Sequence, residues 1–351
     1  MRRGIWAFIQ DQWTTQPPVL QKDLNGQTVI VLGASTGLGF EAAKHFASMK
    51  PGRLILCCRS QSRGQTALEK IIEATGCAVA ELWIIDLGDF TSVGQFITKF
   101  EQDGGRLDIL VANAAVYADK YEPTNDGWET AFQISNLSSP LVILRLLPIM
   151  LRTAREYSTS PRLVVVSSET HYFYTPNKKL QEDPELLATV GSAEYCSPTN
   201  MMFRYVLTKL LNILFVRALT ARLPPSTPII VNSVNPGLCH SELTRTMTGI
   251  LAFFDRLTNW IFAYSTEVGS RHLVWAALAD ATEVQPESLR GAYIHGQKVT
   301  EPSDFVISVE GEKMQNRIWD ELISILAKVD PRVTETVNEC LAPDPPTAPG
   351  L

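Results

Sequence analysis

The sequence predicts an α/β fold in which a doubly wound parallel sheet carries helices on both faces, and two patterns predict it. The first is Thr28–Gly39, where the apolar run Val29-Ile30-Val31-Leu32 is followed by glycines at 33, 37 and 39 and then by a helix-like stretch to Met49. An unbroken apolar run of this length reads as a strand buried on both faces. The second is the alternation that follows, in which short apolar runs and helix-length stretches succeed each other to Leu326. Such alternation means parallel strands joined by right-handed crossovers.

Residues 1–27 precede the first strand. Trp6, Phe8, Ile9 and Trp13 make this an apolar arm expected to pack on the domain. Use at a membrane surface would want more basic charge than Arg2 and Arg3 supply. After Thr28–Leu32, strands are expected at Arg53–Cys58, Ala80–Ile85, Leu107–Val111, Leu163–Val166, Ile229–Val234 and Ala292–His295. Helices are expected at Phe40–Met49, Arg63–Ala74, Phe90–Phe100, Trp128–Thr153, Asn200–Leu223, Glu267–Ala279 and Glu312–Leu326. Pro140 and Pro148 should bend the long fourth helix. One domain therefore spans 28–330, and residues 331–351, with four prolines after Ala342, are expected to be a disordered tail.

Two segments break the rhythm. Thr170–Thr199 holds His171, Tyr172, Phe173 and Tyr174, and Glu242–Ser265 holds Phe253, Phe254, Trp260, Phe262 and Tyr264. Both follow the C-terminal ends of strands, where open α/β sheets bind ligands. They are expected to wall a substrate pocket (about 170–199 and 242–265) rather than only to pack.

Composition narrows the function classes. A formal net charge of −6 disfavours a nucleic-acid partner, since phosphate backbones want a basic surface. Six cysteines show no metal-ligand spacing, and adjacent Cys57 and Cys58 should point to opposite faces of one strand as small core residues in a reducing compartment. No cleavable signal and no stretch long and apolar enough to cross a bilayer are read from the sequence, so a cytoplasmic location is expected.

The chemistry starts at the glycine turn. Glycines let the backbone approach a pyrophosphate, and free amides at a helix N-terminus point partial positive charge at it. The spacing here is Gly-x-x-x-Gly-x-Gly at 33, 37 and 39. At the end of the second strand, Cys58 is followed by Arg59 where an acid would read a ribose 2′-hydroxyl. An arginine pairs instead with a 2′-phosphate, which argues for NADP(H) over NAD(H). Asp86 ends the third strand and is either an acceptor for the adenine amino group or the N-cap of the next helix. Tyr205 and Lys209, four residues apart, share one helix face. A phenol of pKa about 10 is a poor acid–base at neutral pH, and a nearby ammonium lowers it. Ser168, ending a buried strand, supplies a hydroxyl to hold a reacting oxygen.

Taken together, Gly33-Ala34-Ser35-Thr36-Gly37-Leu38-Gly39, Asp86-Leu87, Asn113-Ala114-Ala115, Ser168, Tyr205 with Lys209, and Asn235-Pro236-Gly237 stand in the order of the short-chain dehydrogenase/reductase superfamily. Over Asp23–Ala279 the chain resembles that family, and so implies its Rossmann-type fold. Cys58-Arg59 looks like the retinol dehydrogenase and protochlorophyllide reductase branches, which use NADP(H). Asn235–Leu243 and Glu301–Phe305 look like fungal members, many from secondary-metabolite pathways. The resemblance implies that Ser168 orients substrate, that Tyr205 is the acid–base, and that Lys209 lowers its pKa and binds the nicotinamide ribose. It implies that Gly33, Ser35, Thr36, Gly37, Leu38 and Gly39 hold the pyrophosphate side. Asp86, Leu87, Asn113, Ala114 and Ala115 would line the adenosine side, and Pro236, Gly237 and Leu238 the nicotinamide side. The expected activity is interconversion of a carbonyl and an alcohol on a fairly large apolar small molecule, with a non-catalytic cofactor-binding sensor or scaffold as the competing class.

The chain departs from the family in three places. Leu32 stands where a threonine is usual, and Ala115 where a glycine is usual. The asparagine of the family's proton relay aligns with Ser135, and Asn136 comes one residue late, roughly 100° round an ideal α-helix.

Overall fold

The computed structural model describes residues 10–240 and 262–342. Eight strands form one sheet: β1 Thr28–Leu32, β2 Arg53–Cys58, β3 Ala80–Ile84, β4 Ile109–Ala112, β5 Arg162–Val166, β6 Ile230–Asn235, β7 Tyr293–His295 and β8 Lys298–Thr300. Their order is β3-β2-β1-β4-β5-β6-β7-β8, so the direction of winding reverses between β1 and β4. The seven expected strands are parallel neighbours. The eighth is an addition, antiparallel to β7 across the turn Gly296-Gln297, both at positive φ. Its three residues, exposed at Lys298 and Val299, are too short to carry an apolar signal.

The principal helices are α1 Gly37–Ser48, α2 Gln61–Thr75, α3 Phe90–Gln102, α4 Ser139–Tyr157, α5 Arg204–Arg222, α6 Thr266–Leu278, α7 Val309–Val329 and α8 Arg332–Cys340. The sheet divides the interior in two. Ile30, Leu32, Ile55 and Cys57 face one apolar core with α4, α5 and α7, while Val29, Val31, Leu56 and Cys58 face the other with α1 and α6. The adjacent cysteines thus point to opposite faces, and all six are free thiols. Helix starts are set by side chains that accept an orphan amide: Ser60 from Arg63, Asp89 from Thr91, Ser265 from Val268 and Ser308 from Gly311.

Two expectations are corrected. The tail does not become irregular at 331, because Arg332–Cys340 is helical, with Val333 and Thr336 buried against α4 and α7. The proline-rich end from 343 lies outside the described residues, as do most of 242–265. Secondly, the helical run Thr130–Tyr157 is, at 28 residues, long and apolar enough to cross a bilayer by length and composition. It is 89% buried across its most apolar window and forms the middle of the larger core. Pro140 lies directly after the π turn Gln133–Ser138, and Pro148 lies inside the α-helical part.

Candidate active site

The glycine turn closes over the point where strand order reverses, the crevice in which open α/β sheets take ligands. Gly33 has φ +79°, and a Cβ there would lie 2.9 Å from Ala114 Cα. A Cβ on Gly39 would lie 2.3 Å from the Gly33 carbonyl oxygen, so α1 can start this close to β1 only with glycine. Gly37, at φ +64°, has nothing within 4 Å and faces the open cleft. Thr36 supplies no side-chain cap, so the first amides of α1 are left for a ligand. Asn113 ties the two sides of the turn together, its Nδ2 donating to Leu32 O at 3.3 Å and Gly33 O at 3.1 Å. A bare glycine cradle under an uncapped helix fits the pyrophosphate of a dinucleotide.

The cleft above it measures about 420 Å³. Of the positions singled out in the sequence, Gly33, Ser35, Thr36, Gly37, Leu38, Arg59, Asp86, Leu87, Asn113, Ala114, Ala115, Tyr205, Lys209 and Pro236 line it. Gly39 lies beneath, and Ser168, Gly237 and Leu238 stand outside its lining. Asp86 Oδ1 accepts the Gly88 amide at 2.8 Å, and Asp89, not Asp86, caps α3. Of the two readings of Asp86, the helix cap is therefore excluded.

Arg59 and Arg63 both line the cleft beyond the end of β2, exposed, Arg59 just before α2 and Arg63 in its first turn. Arg63 went unread in the sequence: Arg59 precedes the extended cap Ser60, so no helical period relates the two, and only the fold brings Arg63 to the cleft. Also unread was the stretch Val116–Lys120, which forms a wall with Tyr117 6.4 Å from the Tyr205 ring. It has no periodicity, and only the loop's return over β4 brings it to the cleft.

Tyr205 and Lys209 sit on the first turns of α5, whose root is fixed by Arg204. This fully buried guanidinium lies 3.3 Å from the equally buried Glu129 carboxylate and donates to Val190 O at 2.7 Å. The Tyr205 phenol shares a side-chain hydrogen bond with Ser168. Lys209 Nζ donates to Val166 O at 3.0 Å and lies 5.6 Å from the Tyr205 ring centre. Burial raises the phenol to about 12, opposed in part by the Ser168 hydrogen bond, and burial lowers Lys209 to about 8. The expected lowering of the tyrosine by the lysine is not found: burial of the phenol sets the direction, and the influence that lowers it is the Ser168 hydrogen bond.

The helical segment before α4 carries Asn136 to the helix of Lys209. Gln133–Ser138 is a π turn, which closes its hydrogen bonds five residues back instead of four. A π turn holds one residue more than an α turn, which is the size of the offset between Ser135 and Asn136. Its Nδ2 donates to Thr208 O at 3.0 Å and Asn212 Oδ1 at 2.8 Å, and Asn212 Nδ2 reaches Val166 O, the acceptor of Lys209, at 3.1 Å. Asn136 Oδ1 is buried without a hydrogen-bond partner among the described residues.

A substrate-pocket wall is expected at 170–199. None of its residues lines the cleft. Instead of a loop it folds into short helices at Glu169–Phe173, Lys178–Glu182, Leu186–Gly191 and Pro198–Met202. Its aromatics pack elsewhere: His171, fully buried, lies between Ser168 O at 2.7 Å and the Ser303 amide at 3.1 Å, and Tyr172 donates to Glu301 O. Tyr174 is hydrogen-bonded to Tyr195 and packs against Phe203.

The profile of the family described as short chain dehydrogenase matches residues 27–177. A short chain dehydrogenase/reductase of the fungus Cryptosporiopsis sp. is 34% identical over 331 residues, covering 93% of this chain and 99% of that protein. A short-chain dehydrogenase of Penicillium roqueforti is 33% identical over 336 residues, 93% of this chain and 84% of that one. Among solved structures, a protein of Mycobacterium paratuberculosis shares the fold with a TM-score of 0.60 at 23% identity, covering 88% of this chain and 97% of its own.

Proposed function

Because the chain belongs to the short-chain dehydrogenases, we propose that it is an NADP(H)-dependent oxidoreductase that interconverts a carbonyl and an alcohol on a mainly apolar small molecule. The observation that carries this reading is the meeting of Ser168, Tyr205 and Lys209 beside a cleft floored by the glycine turn. NADPH, when bound, supplies the hydride for reduction.

The chain's own residues handle the proton. Ser168 holds the carbonyl oxygen, and the Tyr205 hydroxyl gives its proton to that oxygen as electrons move onto it. A phenol held near 12 keeps its proton throughout the neutral range, so the acid form is always present, while the raised value makes the transfer itself harder. Lys209, as a cation below about 8, offsets the negative charge left on Tyr205. In oxidation the same groups run in reverse. Val116, Tyr117 and Ile134 beside Tyr205 support an apolar substrate. Fungal relatives and six free thiols support a place in fungal secondary metabolism and a reducing, cytoplasmic location as parts of the same reading.

The test is NADPH consumption across a panel of apolar ketones and aldehydes, with cofactor binding followed by fluorescence. Turnover of any member is expected. Binding without turnover anywhere in the panel would favour the sensor or scaffold class.

A smaller effect tests the relay. Asn136→Ala is expected to lower turnover by roughly tenfold, one buried hydrogen-bonding group near Lys209 being lost, while Ser135→Asn leaves the pH–rate profile unchanged. The opposite pattern would return the role to Ser135.

A further inference from the structure

Residues 10–16 of the N-terminal arm are hydrogen-bonded into the loop that follows β6. Asn235, 1% exposed at the end of that strand, accepts the Gly237 amide on its Oδ1 at 3.2 Å. Its Nδ2 must then be the donor to His295 Nδ1, 2.6 Å away at the end of β7. A ring that accepts at Nδ1 carries its proton on Nε2, and Nε2 lies 3.1 Å from Asp11 Oδ2. The chain Asp11–His295–Asn235–Gly237 thus has one consistent direction of donation from end to end. Gly237 is at φ +78°, and a Cβ on it would lie 3.0 Å from the Tyr264 ring and 3.4 Å from Gln12 Nε2. Tyr264 is itself bound to the arm, donating to Asp11 O and accepting from Gln16 Nε2 at 2.7 Å. Its amide donates to Leu238 O at 2.8 Å.

We propose that Asp11 is a positioning residue for the turn Pro236–Leu238. Through His295 and Asn235 it holds this turn in the shape that receives the nicotinamide end of the cofactor. The arm is thereby part of the reaction site and not only a surface attachment. The proposal rests on the cofactor reading above.

The test has two readouts. In the cofactor-free protein, Asp11→Ala should speed amide hydrogen exchange at Gly237 and Leu238 while leaving α1 and β1 unchanged. In titrations, the same variant should bind NADPH roughly three- to tenfold more weakly, up to the size of one charge-assisted hydrogen bond. It should bind 2′,5′-ADP, which lacks the nicotinamide, as the parent does. Asp11→Asn keeps an oxygen for His295 Nε2 and should restore most of both properties. His295→Phe keeps a buried ring, breaks both bonds and should repeat the Asp11→Ala result. Unchanged exchange at Gly237, or equal weakening of both ligands, would overturn the proposal. A parent that binds neither ligand would overturn the cofactor reading, and the exchange data would still decide whether Asp11 holds the turn.

Discussion

Replacing Tyr205 with phenylalanine should lower the rate of carbonyl reduction by about a thousandfold, within the range for loss of a positioned general acid, while NADPH binds as before. The ring remains to fill its place between Tyr117 and Lys209, so only the proton and its hydrogen bond to Ser168 are removed. Steady-state rates and fluorescence titrations on the same preparation separate the two. A variant with near-normal turnover would remove Tyr205 from the chemistry. The pH dependence carries a sign that follows from the two buried groups. Tyr205, raised to about 12, stays protonated across the working range and cannot by itself limit reduction there. Lys209, lowered to about 8, is a cation below that pH and neutral above it. Reduction should therefore be level through neutrality and fall above about pH 8, whereas oxidation, which needs the phenolate, gains from higher pH until the lysine charge is lost. Lys209→Ala should abolish the alkaline fall along with most of the rate.

Removing both arginines at the end of β2 should change which cofactor is used. Arg59→Ala is expected to weaken NADPH by about 1.5–3 kcal/mol, the contribution of one charged hydrogen bond, and to leave NADH nearly unchanged. Arg63 lines the same corner of the cleft, and no carboxylate stands at the end of β2, where an acid would bind a ribose 2′-hydroxyl. Arg59→Ala with Arg63→Ala should therefore weaken NADPH further than either change alone. The two effects will not add if both guanidiniums hold one phosphate. Equal losses for NADPH and NADH would mean that neither arginine reads the 2′-phosphate.

Much of this architecture is legible in the sequence because it rests on short-range rules. A strand covered on both faces must be apolar at every position, so Val29–Leu32, Leu54–Cys58 and Leu163–Val166 declare themselves without their neighbours. The glycines at 33 and 39 are legible for the same kind of reason, since each occupies a position that a Cβ would make impossible. The spacing of Tyr205 and Lys209 needs only the helical period. The aromatic segment at 170–199 is less legible, because aromatic side chains are equally suited to lining a pocket and to filling a core. His171 and Tyr172 find their partners at Ser303 and Glu301, about 130 residues away in the chain, and no local pattern announces that contact.

By itself, the sequence determined the doubly wound α/β fold, the glycine cradle and the types of the three chemical side chains, all of which depend on local period and backbone sterics. Only the tertiary structure decided that Asn136, through a π turn, reaches the helix of Lys209, and that Val116–Lys120 walls the cleft. It also decided that burial dominates the electrostatics of Tyr205 and Lys209, and that Asp11 is joined to the turn at Gly237. Each of these depends on the dielectric surroundings and on which distant groups are brought within hydrogen-bond reach, and no local pattern of residues encodes either.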